Sequence, residues 1–432
     1  MEQLKQIASL ALSALTENGA DQAQVSVVRG EVEEYNADAG EFSLIRSVFT
    51  EGVAMKAVTG HKKGTFSVNS LEETEVLDGA RQCVEASLVG APDEAVAIAE
   101  KEENRDFVSG VTEPDKAAFF DSLIRFTEDL KAEFPEIMLE QMIASFSGGK
   151  RVFANTNGVL FTEADGSYSV SVMYSAHRDG ASTSFNYFDI ETLDPNARIM
   201  DLGMCRTMFG RAVAELDAAP FNGKFVGTAV FAPGALPEVI DVITGAFTGD
   251  YALIEGTSPW RDRLGQKVAD ESFTLSVLSR DPRLVSEENI TSDGYLSESF
   301  DVIRNGVLKA FCLSDYGARR TGGLRAKSTG SVAVEPGEEP LADLVRRIGD
   351  GILVCRFSGG EPASNGDFSG VAKNSFLIRG GRIAGALTET MISGNFAAML
   401  RDIRGVSKEA LLDGSSVLPY VAFGGVTVSG KD

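Results

Sequence analysis

Short runs of alternating apolar residues, separated by glycine-containing turns, recur along most of this chain. That rhythm restricts the fold more than any other feature. Val25, Val27 and Val28, then 41–50 and 52–59, read as strands, as do 137–146, 159–174, 224–231, 273–278, 297–303, 307–313, 331–334, 352–357, 375–378, 382–387 and 417–428. Asn157-Gly158, Asn305-Gly306 and Gly380-Gly381 are turn dipeptides between such runs, and 45 glycines are enough to supply many more. Helical spacing appears at 3–18, 72–87, 114–134, 199–217, 237–247 and 394–403. Helices and hairpins are mixed rather than strictly alternating, which predicts an α+β fold with antiparallel sheets and flanking helices. Ala219-Pro220-Phe221-Asn222-Gly223 reads as a linker, so two domains are expected, 1–219 and 220–432.

Two local expectations follow from the same signals. Ser147-Gly148-Gly149-Lys150 is expected to be a hairpin turn between 137–146 and 151–155. The acidic, alanine-rich stretch 92–104 is expected to be a surface excursion.

The charge balance, 63 Asp+Glu against 40 Lys+Arg for a net -23, argues against a nucleic-acid partner, which needs a basic face to displace counterions. No run of apolar residues is long enough to span a membrane. The amphipathic opening segment with Glu2 is unlike a signal peptide. Cys83, Cys205, Cys312 and Cys355 lie far apart, with no C-x-x-C pair, and read as reduced core residues. A cytoplasmic protein is expected.

The residues of the common hydrolase sites are missing. A zinc site needs imidazole or thiolate ligands gathered on one face, but the chain has two histidines, His61 and His177, each isolated beside a turn. Oxygen-ligand metal sites stay open, because carboxylates are abundant. There is no G-x-S-x-G elbow and no P-loop. Ser147 and Lys150 have serine–lysine spacing, but on an expected hairpin tip both would be solvated. No catalytic residue and no cofactor is therefore assigned.

Two glycine-rich segments, 317–330 and 358–370, are expected to be long turns between strands. They are either plain hairpin loops or the rim of a groove, where glycines let a main chain approach and pair with an extended peptide. The groove candidates are Arg319, Arg320, Thr321, Gly322 and Gly323 in the first, and Asn365, Gly366 and Asp367 in the second.

Four stretches of the second half, in order, resemble the TldD/PmbA family of DNA gyrase modulators. They are Leu264-Gly265-Gln266-Lys267-Val268; Asp293-Gly294-Tyr295 leading to 303–309 and 313–320; Asn365-Gly366-Asp367-Phe368-Ser369-Gly370; and Thr388-Glu389 through Ile392-Ser393-Gly394-Asn395. The order and spacing agree over roughly 222–430, and the first half fits more loosely. The resemblance implies two branches. One is a zinc peptidase with an H-E-x-x-x-H helix and a downstream cysteine ligand; the other lacks that motif and pairs with the first. By position the motif falls on 240–245, where Ile240 and Gly245 stand at the histidines and Asp241 at the glutamate, and 412–416 offers no cysteine. Leu236, Val239, Ile240, Ile243 and Phe247 form one apolar stripe, so this helix reads as core packing.

The resemblance therefore implies a metallopeptidase relative without its own catalytic zinc. It would be a PmbA/TldE-like subunit of a complex that processes or degrades unfolded or precursor peptides. Its expected partners are a zinc-bearing TldD-like subunit in a heterodimer, or a second copy when alone, and a peptide substrate. Two other readings remain at this stage: an interaction protein that modulates gyrase or another partner without peptidase chemistry, and a stand-alone hydrolase with a non-standard site such as a carboxylate pair.

Overall fold

The computed structural model describes residues 1–359, 362–388 and 390–430. Among these, strands between Gln22 and Thr192 form one eight-stranded sheet, and strands between Ala219 and Ser429 form a fourteen-stranded one. The first sheet is antiparallel except where Arg105–Val108 runs parallel to Leu160–Arg178. The second is mixed. The α+β class with flanking helices is what the structure shows.

Four strands of the first sheet, Gln22–Asp38, Glu41–Thr59, Ile137–Asn155 and Leu160–Arg178, are 17 to 19 residues long. Alternation puts Val25, Val27, Tyr35 and Ala37 on one face of the first of these, and two groups of helices cover that face at its two ends. Glu2–Glu17 and Glu73–Val89 pack Leu4, Ile7, Val76 and Ala80 onto Val25, Val27 and Val53. Lys116–Glu133 and Cys205–Ala214 pack Phe119, Phe126 and Phe209 onto Tyr35, Tyr168 and Tyr174.

The expected hairpin at Ser147-Gly148-Gly149-Lys150 is not a turn. It lies inside the strand Ile137–Asn155, where Gly148 pairs with Glu31 and Gly166, and Gly149 with Gly30 and Asp165. The reason is close approach. The Phe146 ring lies across the sheet here, and a Cβ would meet it at 2.8 Å from Gly148 and at 2.9 Å from Gly166. Ser147 and Lys150, three apart on an extended strand, point to opposite faces, which removes them as a dyad.

The stretch 92–104 is also not a surface excursion. Ala95, Ile98 and Ala99 are buried. Lys56 Nζ donates to the Ala97 carbonyl at 2.7 Å, and Asn155 and Asn157 Nδ2 donate to the Ala99 carbonyl at 2.9 and 2.8 Å. Its polar groups reach the second half: Asp93 accepts from Tyr316 and Arg320, and Glu100 N donates to Tyr295 Oη at 3.2 Å. Small apolar residues inside and acids paired with arginines outside make it a strap between the halves.

In the second half, Val417–Ser429 pairs with Lys224–Phe231, Ser331–Val334, Met391–Asn395 and Ile403–Leu412. The expected helix 199–217 is broken into Ile199–Asp201, Cys205–Ala214 and Glu215–Asp217, with Gly203 in the left-handed region at φ 55°. The expected strand 307–313 shrinks to Val307–Leu308. The segment 237–247 is an α-helix at Leu236–Asp241 that widens into a π-helix at Val242–Phe247. Its expected apolar stripe, Leu236, Val239, Ile240, Ile243 and Phe247, is buried.

Candidate binding cavity

A cavity of about 470 Å³ lies between the two halves, beside the helix that carries Ile240. The first half contributes strand Asn186–Thr192 and the segment Met204–Glu215; the second contributes 232–244, Cys355, Arg356, Asn374 and 411–420. Tyr174, Met204, Met208, Ile240 and Leu418 give it apolar walls.

Its polar groups form a connected set. Glu215 follows the helix Cys205–Ala214 on a 3-10 turn, and Asn374 Nδ2 donates to its Oε2 at 2.7 Å. Burial pushes the Glu215 carboxyl up to about 7, against the opposing pull of Asn374, Asn186, Arg356 and Arg211. Arg211 donates to the Tyr420 hydroxyl at 2.8 Å with its guanidinium over the ring. The Arg356 guanidinium lies against Phe185 and Tyr187, 5.1 and 5.6 Å from the ring centres. Burial raises the Cys355 thiol to about 11 and the Tyr420 hydroxyl to about 12. At neutral pH Cys355 is thus a thiol rather than a nucleophilic thiolate.

The residues do not fit a zinc ion. Ile240 is 3% exposed in the core and has no donor atom. A Cβ on Gly245 would face open space, so nothing there replaces an imidazole. Asp413 is spent on its own turn, accepting from Ser415 N at 2.8 Å and Ser416 N at 2.7 Å. Among the described residues no three His, Cys, Asp or Glu side chains gather as a metal site. His61 lies 3.9 Å from Glu94 in a turn. His177 Nε2 is 2.8 Å from Ser175 Oγ, an association the sequence reading missed. Ser175 donates its proton to Glu140 instead, and the same Nε2 is the atom nearest Glu140, so the hydroxyl is not relayed to imidazole as a triad requires.

The groove candidates do not meet. The segment 317–330 is not one long turn, because Asp315–Thr321 is a helix and Gly322 is its left-handed cap at φ 71°. Arg319 is held by Asp315 and Glu100, Arg320 by Asp93, and Thr321 Oγ1 bonds back to Gly317. Arg319 and Gly323 line a shallow surface cavity of about 410 Å³ with Tyr295 and Arg325. Asn365, Gly366 and Asp367 sit elsewhere. Asp367 accepts from Asn365 and Asn395 Nδ2, both at 2.8 Å, and Gly366 at φ 89° lies so close to the Phe247 ring that a Cβ would be 2.7 Å away. They seat the N-terminus of Phe396–Arg401 on the core. Gly360 and Glu361 of the second segment, and Glu389 of the fourth resemblance stretch, lie outside the described residues.

Residues 223–430 match the family described as the PmbA/TldA metallopeptidase C-terminal domain. The second half of the chain belongs to the PmbA/TldD family. Among curated relatives of this family, the metalloprotease PmbA homolog of Haemophilus influenzae is 23% identical over 94% of this chain and 92% of its own length. Metalloprotease PmbA of Escherichia coli O157:H7 is 23% identical over 93% of this chain and 89% of its own. The crystal structure of TldE from Thermococcus kodakarensis superposes with a TM-score of 0.85 at 20% identity, covering 99% of this chain and all of that one, and so has the same PmbA/TldD fold.

Proposed function

We propose that this chain is the non-catalytic subunit of a cytoplasmic, TldD/TldE-type zinc peptidase complex that processes or degrades unfolded or precursor peptides. The observation that carries the reading is the donor set at the motif position: Ile240 in the core, Gly245 without a side chain, and no cysteine at 412–416. Chemistry that needs zinc would belong to a zinc-bearing partner, with this chain completing the chamber. The names of the relatives support peptide chemistry for such an assembly. Any effect on gyrase is then indirect, through peptides that target it. No described helix is long and apolar enough to cross a membrane, and the net charge of -23 disfavours direct contact with nucleic acid.

The test is to mix the purified chain with a zinc-bearing relative from the same cell. The expected result is a stable complex that cleaves an unfolded peptide several-fold faster than the relative alone, while this chain by itself binds zinc in far less than equimolar amount. One tightly held zinc per isolated chain, or no complex and no enhancement, would overturn the reading.

A further inference from the structure

Three buried polar atoms at the cavity beside Ile240 have no hydrogen-bond partner within the protein: Asn186 Nδ2, Arg356 Nε and Asn374 Oδ1. Asn186 and Asn374 are only 9% and 8% exposed. A buried polar group without a partner costs roughly 1–3 kcal/mol, so three around one cavity call for a common explanation. Asn374 carries a further cost, a left-handed backbone at φ 51°. Its Nδ2 is committed to Glu215, which turns Oδ1 away from that carboxyl.

We propose that this cavity binds an uncharged amide, a carboxamide or a single peptide unit bearing an apolar substituent. The complement is one of donor and acceptor types. An amide oxygen has two lone pairs, matching the two orphan donors Asn186 Nδ2 and Arg356 Nε; an amide N–H matches the orphan acceptor Asn374 Oδ1. The walls formed by Met204, Met208, Ile240 and Leu418 take the apolar substituent, and about 470 Å³ is within the usual size of a small-molecule site. Glu215, Glu238, Asp241, Asp189 and Asp413 also line the cavity, against Arg211 and Arg356, so a ligand carboxylate meets net negative charge. The assignment rests on this chain's own cavity and does not depend on membership of a two-subunit complex.

Calorimetric titration of the full chain with N-acetyl-leucinamide tests it, with N-acetyl-leucine as the acidic counterpart and methyl 4-methylpentanoate, an ester, as the counterpart without an N–H. The amide is expected to bind saturably and at least about tenfold more tightly than either, because the carboxylate meets the net negative lining and the ester leaves the buried acceptor Asn374 Oδ1 unpaired. Asn186→Leu and Asn374→Gly are each expected to weaken binding by about tenfold or more. Glycine keeps the left-handed backbone of residue 374 while deleting the acceptor. A purely structural Asn186 would make the leucine variant less stable, whereas a binding residue leaves it as stable as the parent or more so. No saturable binding of the amide, equal binding of N-acetyl-leucine, or unchanged affinity in folded Asn374→Gly would overturn the proposal. None of these outcomes bears on complex formation with a zinc-bearing relative.

Discussion

Replacing Glu215 with glutamine raises the stability of the folded chain above pH 7 and leaves it little changed in mild acid. Burial is the first cause, lifting this carboxyl from its ordinary 4.5 to about 7 despite the hydrogen bond of Asn374 and the opposing pull of Asn186, Arg356 and Arg211. The folded state therefore holds the proton more tightly than the unfolded one. The stability linked to that proton is fully present below about pH 4.5 and is lost as pH rises through about 7. At about 1.4 kcal/mol for each pH unit of difference, the loss is on the order of 3 kcal/mol. Glutamine carries no charge to desolvate and still offers an oxygen to Asn374 Nδ2. Urea denaturation of both proteins between pH 5 and 8 should show the parent losing stability relative to the variant as pH rises. Parallel curves, or a less stable variant at pH 8, would contradict the assignment of a buried, half-protonated carboxyl.

Gly294→Ala is expected to cost about 2–4 kcal/mol, summing overpacking with the left-handed penalty of a non-glycine residue. Gly294 lies at φ 95°, and a Cβ there would stand 2.0 Å from the tip of the Phe153 ring. Phe153 is 1% exposed and packs with Val159, Phe161 and Ile290 where the second half meets the first sheet. Adding Phe153→Leu to Gly294→Ala should cost less than the sum of the single changes, because the smaller side chain yields the space. The shift of the urea midpoint measures each term. A loss below about half a kcal/mol for Gly294→Ala, in the range of ordinary surface changes, would mean that this contact is not close-packed.

Much of the fold is legible because the relevant signals are local. Asn305-Gly306 and Gly380-Gly381 both adopt positive φ, at 46° and 75° and at 56° and 72°, as tight hairpins demand. The helix Lys116–Glu133 buries Leu123, Phe126 and Leu130 at helical spacing. Gly148-Gly149 carries the same local signal as a hairpin, yet Gly148 answers a different need, the close passage of Phe146. Glycine reports that a side chain is excluded, not what excludes it. Likewise 92–104 has a surface composition, and only its partners on both halves make it a strap.

The cavity was not legible in any motif. Asn186, Glu215, Arg356 and Asn374 are spread over nearly two hundred positions of sequence, on separate segments from both halves. The one local hint was Asn374 between two strands, a residue type that tolerates a left-handed backbone.

Donor chemistry was settled by the sequence alone. An isoleucine and a glycine at the motif positions, and no cysteine at 412–416, cannot be turned into zinc ligands by any arrangement of the chain. What those positions became was decided only by tertiary structure. Ile240 could line a dry core or a cavity, and Glu215 could be an ordinary surface carboxylate or a half-protonated one. Desolvation and unmet hydrogen bonds belong to the surroundings of an atom rather than to the residue that carries it, and those surroundings exist only once the two halves have packed.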